Sequence, residues 1–132
     1  MPNTVTYADI GVQQLTVLPS AARTADPNTM EFRDLGRVSG IVVVVDATAI
    51  VSTPSITVKI QGVDVATGKT WDILTSAAIA TAVTTVLKVR PGITVAANVA
   101  VADIIPPIIR IVVSHGNANS ITYSVTAHLD RS

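Results

Sequence analysis

Two histidines, His115 and His128, one glutamate, Glu31, and eight aspartates are the imidazole and carboxylate groups available for catalysis or metal binding. The most tempting combination is Ser114-His115, a nucleophile beside a base, with Asp103 or Asp130 to complete a triad on paper. Neighbours on a strand point to opposite faces, however, and no serine sits in the G-x-S-x-G turn that exposes a nucleophile. With two histidines and no cysteine, a zinc site would need a carboxylate, a backbone group or a second subunit as a further ligand. A glycosidase pair would have to draw on Glu31 or on aspartates that no spacing brings together. Gly68-Lys69-Thr70 imitates the end of a phosphate loop, but the motif needs glycine where Val63 stands and a helix where "WDIL" reads as a strand. The expectation is a protein that is not an enzyme, with no catalytic residues, no metal and no cofactor.

Nucleic acid is an equally poor fit. Arg23, Arg33, Arg37, Lys59, Lys69, Lys88, Arg90 and Arg110 are dispersed along the chain, and 9 basic residues are balanced by 9 acidic ones. A binder of single strands combines a positive groove with stacking aromatics, whereas only Tyr7, Phe32, Trp71 and Tyr123 are available. A membrane partner is not expected either. A span needs about 20 continuous apolar residues. The valine run at 41–45 ends at Asp46, and residues 93–109 are broken by Asn98, Asp103 and Pro106-Pro107. The N-terminus lacks the basic start and apolar core of a secretory signal.

The elements that must carry these residues are strands. Valine, isoleucine and threonine dominate, and branching at Cβ favours the extended chain. "ITVKIQ" (56–61) alternates cleanly, with Gly62 permitting a bulge; "DVATGKTWDIL" (64–74) reads as a hairpin turning at Ala66–Lys69, with Trp71 and Ile73 on one face. "TTVLKVR" (84–90) stops at Pro91-Gly92, which suits a type II turn. Residues 76–83 suit either a helical turn or a tight connection. Pro106-Pro107 opens a further strand, and "HGNANS" turns it into the last one, where Ile121, Tyr123, Val125, Ala127 and Leu129 share a face. The run 41–45 reads as a strand buried on both faces. Seven or eight strands without an amphipathic helix predict an all-β protein, a two-sheet antiparallel β-sandwich of jelly-roll or immunoglobulin-like type. Residues 1–37 read as an N-terminal strand, Leu15 to Leu18, with an extended arm or loop; residues 38–132 form the sandwich domain.

Charged residues are only 14% of the chain against 48% apolar, while soluble domains carry about 25% charged residues. Branched apolar side chains thus exceed what one sandwich readily hides, and copies of the chain would shield the rest. The candidate interface comprises Leu15, Val17, Leu18, Pro19 and Arg23 in the N-terminal segment, and Ile104, Ile105, Pro106 and Pro107 around the double proline.

The ordered series "LTVLPSAARTA", "VVVDATAI", "TPSITVKIQGVDVATGKTWDILTSAAI", "LKVRPGI", "ANVAVADIIPPIIRIVVSH" and "SITYSV" spans residues 15 to about 127. It resembles small structural proteins of tailed bacteriophages, in particular head decoration (cement) proteins. That resemblance implies a virion component on the outer surface of the capsid, a homo-oligomer with a trimer favoured, and the major capsid protein as partner. Two other expectations stand beside it: a tail-associated component (tube, terminator or baseplate module), and a glycan-binding module presenting Trp71 or Tyr123 in a concave patch.

Overall fold

A computed structural model of the chain describes residues 3–5, 13–28, 30–33 and 35–131. The strands are β1 (Asn3–Val5), β2 (Gln13–Arg23), β3 (Met30–Phe32), β4 (Val38–Ile50), β5 (Ile56–Val63), β6 (Thr70–Thr75), β7 (Thr84–Val89), β8 (Ala100–Val101), β9 (Ile109–His115) and β10 (Ile121–Arg131). They form two five-stranded sheets, one ordered β1-β3-β9-β5-β6 and the other β2-β10-β4-β7-β8. The protein is all-β, and the two sheets pack as a sandwich. Among the described residues no helix is long and apolar enough to cross a membrane.

The connectivity separates the two sandwich types that the sequence left open. Apart from the short β1 and β8, the antiparallel pairs are nested: β5 with β6, β4 with β7, β3 with β9, and β2 with β10. A long hairpin whose partners are nested in this way and rolled into two sheets is a jelly roll. The departures from antiparallel pairing are at the edges, where β1 runs parallel to β3 and β8 parallel to β7.

Alternation builds the core. Ile121, Tyr123, Val125, Ala127 and Leu129 of β10 are all buried, facing Ile41, Val43 and Val45 of β4 and Leu87 and Val89 of β7 on the same inner side. Ile56, Val58 and Ile60 of β5, Ile109, Ile111 and Val113 of β9, and Phe32 and Leu35 complete the opposite wall. Each buried valine, leucine, isoleucine or phenylalanine among them contributes roughly 1.5–3 kcal/mol relative to exposure. Gly68 at φ +73° and Gly92 at φ +81° occupy the predicted turns, where the left-handed backbone suits glycine.

Two expectations are corrected by the register, and two segments that the sequence left open take definite form. The 41–45 strand is not buried on both faces: Ile41, Val43 and Val45 are inside, while Val42 and Val44 are half-buried on the outer side. An antiparallel strand with one solvated face explains this, despite its unbroken apolar sequence. On β6 a bulge shifts the pairing, so that Gly62 opposes Trp71 and Ile60 opposes Leu74; Leu74 takes the core position and Ile73 is only partly buried. Residues 76–83 form a connection without a helix, pinned by Ile79, whose N–H and C=O both bond Ile56. The segment before residue 38 supplies β2 and β3 to the two sheets. β2 runs through Pro19 because it is an edge strand, where a missing N–H is tolerated, and its pairing with β10 slips by one residue between Leu18 and Ala21 and by another between Thr16 and Leu18.

Candidate functional site

The chemistry-bearing residues are dispersed. His115 ends β9 in one sheet, and its Nε2 lies 2.9 Å from the Tyr123 hydroxyl of β10 in the other. Asp26 does not meet the imidazole as a triad acid would; its Oδ1 accepts the backbone N–H of His115 at 2.6 Å. Arg23 closes the cluster, donating to the Tyr123 carbonyl at 2.7 Å and the Pro19 carbonyl at 2.7 Å, with its guanidinium 4.7 Å from the centre of the tyrosine ring. Burial lowers the His115 pKa, and burial pushes the Tyr123 hydroxyl up to about 12. These are the marks of a neutral polar bond clamping one end of the sandwich. His128 stands elsewhere, on the outer side of β10, and Asp130 is paired with Arg90 at 3.3 Å. Among the described residues no three histidine, cysteine or carboxylate groups gather as a metal site.

The nine candidate interface residues divide between two regions. Leu15, Val17, Leu18, Pro19 and Arg23 lie on the edge strand β2, whereas Ile104, Ile105, Pro106 and Pro107 lie in the loop leading into β9 of the other sheet. Within each group the burial differs. Val17 and Pro106 are consumed inside the sandwich, and Leu15, Leu18 and Ile105 lean against the core. Arg23 is engaged by Tyr123. Pro19, Pro107 and above all Ile104, at 70% exposure, remain outward.

The more continuous surfaces are the two outer faces. On the β2-β10-β4-β7-β8 sheet, Val44 is flanked by Val86 of β7 and Thr126 of β10, and Val42 by Lys88 and His128. Alternation puts these side chains together on the side away from the core. This forms a short apolar strip of Val42, Val44 and Val86 bordered by Thr126, His128 and Lys88. Asp46 closes one end by accepting from the Thr84 hydroxyl at 3.1 Å. At the other end Arg90 crosses Gly40 to reach Asp130, with its Cγ and Cδ 3.4 Å from where a Cβ would stand. A groove of about 320 Å³ opens there between Val42, Lys88, Arg90, Ile93 and His128. The Lys88 ammonium has no ion-pair partner among the described residues.

The outer face of the opposite sheet is ionic. Register aligns Glu31 of β3, Arg110 of β9, Gln61 of β5 and Asp72 of β6 in one row. Glu31, only 6% exposed, accepts from Arg33 at 2.5 Å and from Arg110 at 3.2 Å. Asp72 accepts from Gln61 at 2.8 Å and pairs with Lys59 at 3.4 Å; the Gln61 hydrogen bond, ahead of the Lys59 charge, lowers its pKa. Sequence reasoning passed over this row because its members are up to 79 positions apart and only strand register aligns them. The valine strip had a signal, the run 41–45, although its outer half was expected to be covered.

No family model, curated protein or solved structure matches this chain.

Proposed function

We propose that the chain is a structural, non-enzymatic protein of a tailed-phage particle, which decorates and stabilises the capsid through contacts with its own copies and with the major capsid protein. The observation that carries this reading is the valine strip on the β2-β10-β4-β7-β8 sheet. Val42, Val44 and Val86 lie side by side on a solvent-facing sheet, where branched apolar side chains gain from being covered. The likeness of residues 15 to 127 to phage head decoration proteins gives the partner its identity as capsid protein. The jelly roll is compatible with this role but assigns no function alone.

Physically, a decoration protein needs a preformed body and many modest contacts. The nested pairs give the body, with the sheets clamped at one end by His115 and Tyr123. Repetition over a shell makes weak single contacts sufficient, because attached copies hold each other at high effective concentration. Formal neutrality limits repulsion between crowded copies. Three copies around a local three-fold axis, on the outer surface of the head, is the favoured arrangement.

The test is addition of the purified chain to tailed-phage heads lacking their decoration protein, read by co-sedimentation and electron cryomicroscopy. Saturable attachment at symmetric positions, valine strip covered, is the expected result. A chain that stays monomeric and ignores heads at every concentration overturns the reading. A hexameric ring with sheets joined around a lumen would place it in the tail instead.

A further inference from the structure

Trp71, second in β6, lies opposite Gly62 of β5, and its indole stands over the glycine. A Cβ built on Gly62 would lie 2.2 Å from Cζ2, 2.4 Å from Cε2 and 2.6 Å from Cη2 of the ring. Three nearly equal distances to neighbouring ring atoms put the glycine under the face of the six-membered ring, not at its edge. One face of the indole is therefore fixed against backbone, and no residue other than glycine fits beneath it. Trp71 is nonetheless 47% exposed. The indole is thus a preset platform with its second face turned outward.

The platform forms part of a groove of about 570 Å³, bounded by the 64–69 turn on one side and Pro106-Pro107 on the other. That size falls within the roughly 300–1,000 Å³ of small-molecule sites. The turn is a firm wall. The Asp64 carboxylate accepts the Ala66 N–H at 3.1 Å and the Thr67 hydroxyl at 2.9 Å, and the Gly68 N–H bonds the Asp64 carbonyl at 2.7 Å. Asp64 is thereby occupied within its own loop. Asp64 keeps its negative charge, while the Lys69 ammonium, with no ion-pair partner among the described residues, is the cation of the groove left to pair with a ligand. Thr70 lies on the same lining.

We propose that this groove is a saccharide site, taking a pyranose that carries a carboxylate. A pyranose offers one apolar C–H face, which suits a flat aromatic platform, and a rim of hydroxyls, which suits threonine. Its carboxylate complements Lys69. Proline-rich peptides dock in grooves lined by several aromatics, and here Trp71 is the single aromatic. The site is independent of the valine strip, which lies on the other sheet. Loss of sugar binding therefore leaves the capsid reading untouched, and the reverse holds.

Trp71 is the sole tryptophan, so its fluorescence reports the site directly. The full chain is titrated with trigalacturonate, with neutral maltotriose and with a deca-proline peptide. Trigalacturonate is expected to give a saturable change, with maltotriose weaker. Trp71→Ala abolishes binding by calorimetry, and Lys69→Gln weakens trigalacturonate about tenfold while leaving maltotriose unchanged. Gly62→Ala, which displaces the indole, lowers affinity for both sugars; unchanged circular dichroism establishes that each variant is folded. No saturable change with either sugar up to about 10 mM, well beyond a ~1 mM dissociation constant, overturns the proposal. So does saturation by the proline peptide in place of the sugars.

Discussion

The two outer faces of the sandwich come from the same alternating pattern and yet differ in kind. Across β3, β9, β5 and β6, the outward residues are Glu31, Arg110, Gln61 and Asp72, each bonded to a neighbour in the row. Across β10, β4 and β7, they are Thr126, Val44 and Val86, with no ion pair to join them. On the first face the polar side chains bond one another in pairs. The second leaves branched apolar side chains only partly buried, and its lysine, Lys88, without an ion-pair partner among the described residues. Two sheets that share one core thus differ on their outer sides, one joined by polar bonds and the other bearing apolar side chains.

The sharpest way to break this contrast is to charge the second face. Val42→Asp with Val44→Asp should weaken attachment to undecorated heads about a hundredfold, near 2.7 kcal/mol, as expected of central interface residues. The melting temperature should move little, because both positions lie on the outer side. The matched control, Gln61→Asp on the ionic face, should leave attachment unchanged. Equal losses from both variants, measured by co-sedimentation, would erase the distinction between the faces.

The bond between the sheets offers the next test. Tyr123 is raised to about 12 in the fold by burial, whereas an unfolded tyrosine titrates near 10. The unfolded chain therefore releases this proton first. The stability due to the protonated hydroxyl is fully present below pH 10 and is lost as pH rises through 12, amounting to about 2–3 kcal/mol. Tyr123→Phe should flatten this alkaline limb in urea denaturation. A limb that persists in the variant would assign it to other groups.

These contrasts were unevenly legible in the sequence. The inward set on β10 was plain, since five apolar residues at a period of two admit only one register. Val42 and Val44 were visible as strand residues but not as outward ones, because an unbroken apolar run carries no alternation to say which face is wet. β2 was legible only as Leu15 to Leu18; its continuation to Arg23 was hidden by Pro19 and its small neighbours, which an edge strand accepts and a central one does not. The bulge at Ile73 exchanged the roles of Ile73 and Leu74, a one-residue shift that no local pattern announces. Gly62 and Trp71 were each noticed singly; the hairpin register is what stacks one on the other.

The ionic face can be unmade from its buried member. Glu31→Ala leaves Arg33 and Arg110 without their shared carboxylate, and the Arg110 Nε already lacks a partner among the described residues. Removing one member of a fully buried pair costs about 3–5 kcal/mol. The arginine side chains here are 48% and 31% exposed, so solvent reduces the expected loss to about 1–2 kcal/mol. Urea denaturation measures it. Attachment to heads, referred to folded protein, should not change, and a loss there would mean that this face is also in contact with the shell.

The smallest effect concerns whether the two layers move as one. His115 holds Tyr123 from the opposite sheet, and desolvation by burial lowers its pKa below 6.5, with the Asp26 charge opposing and the Arg23 charge assisting. An unfolded histidine gains its proton near pH 6.5, before the folded one does. The stability from neutral His115 is therefore full above that pH and declines as pH falls toward the lower folded value. His115→Gln keeps a polar group near the tyrosine but cannot titrate. It should remove the part of the acid limb lying just below pH 6.5, a change smaller than the alkaline one because the histidine is only partly buried. If that part of the limb persisted in His115→Gln, the pH response would belong to groups other than the clamp between the sheets.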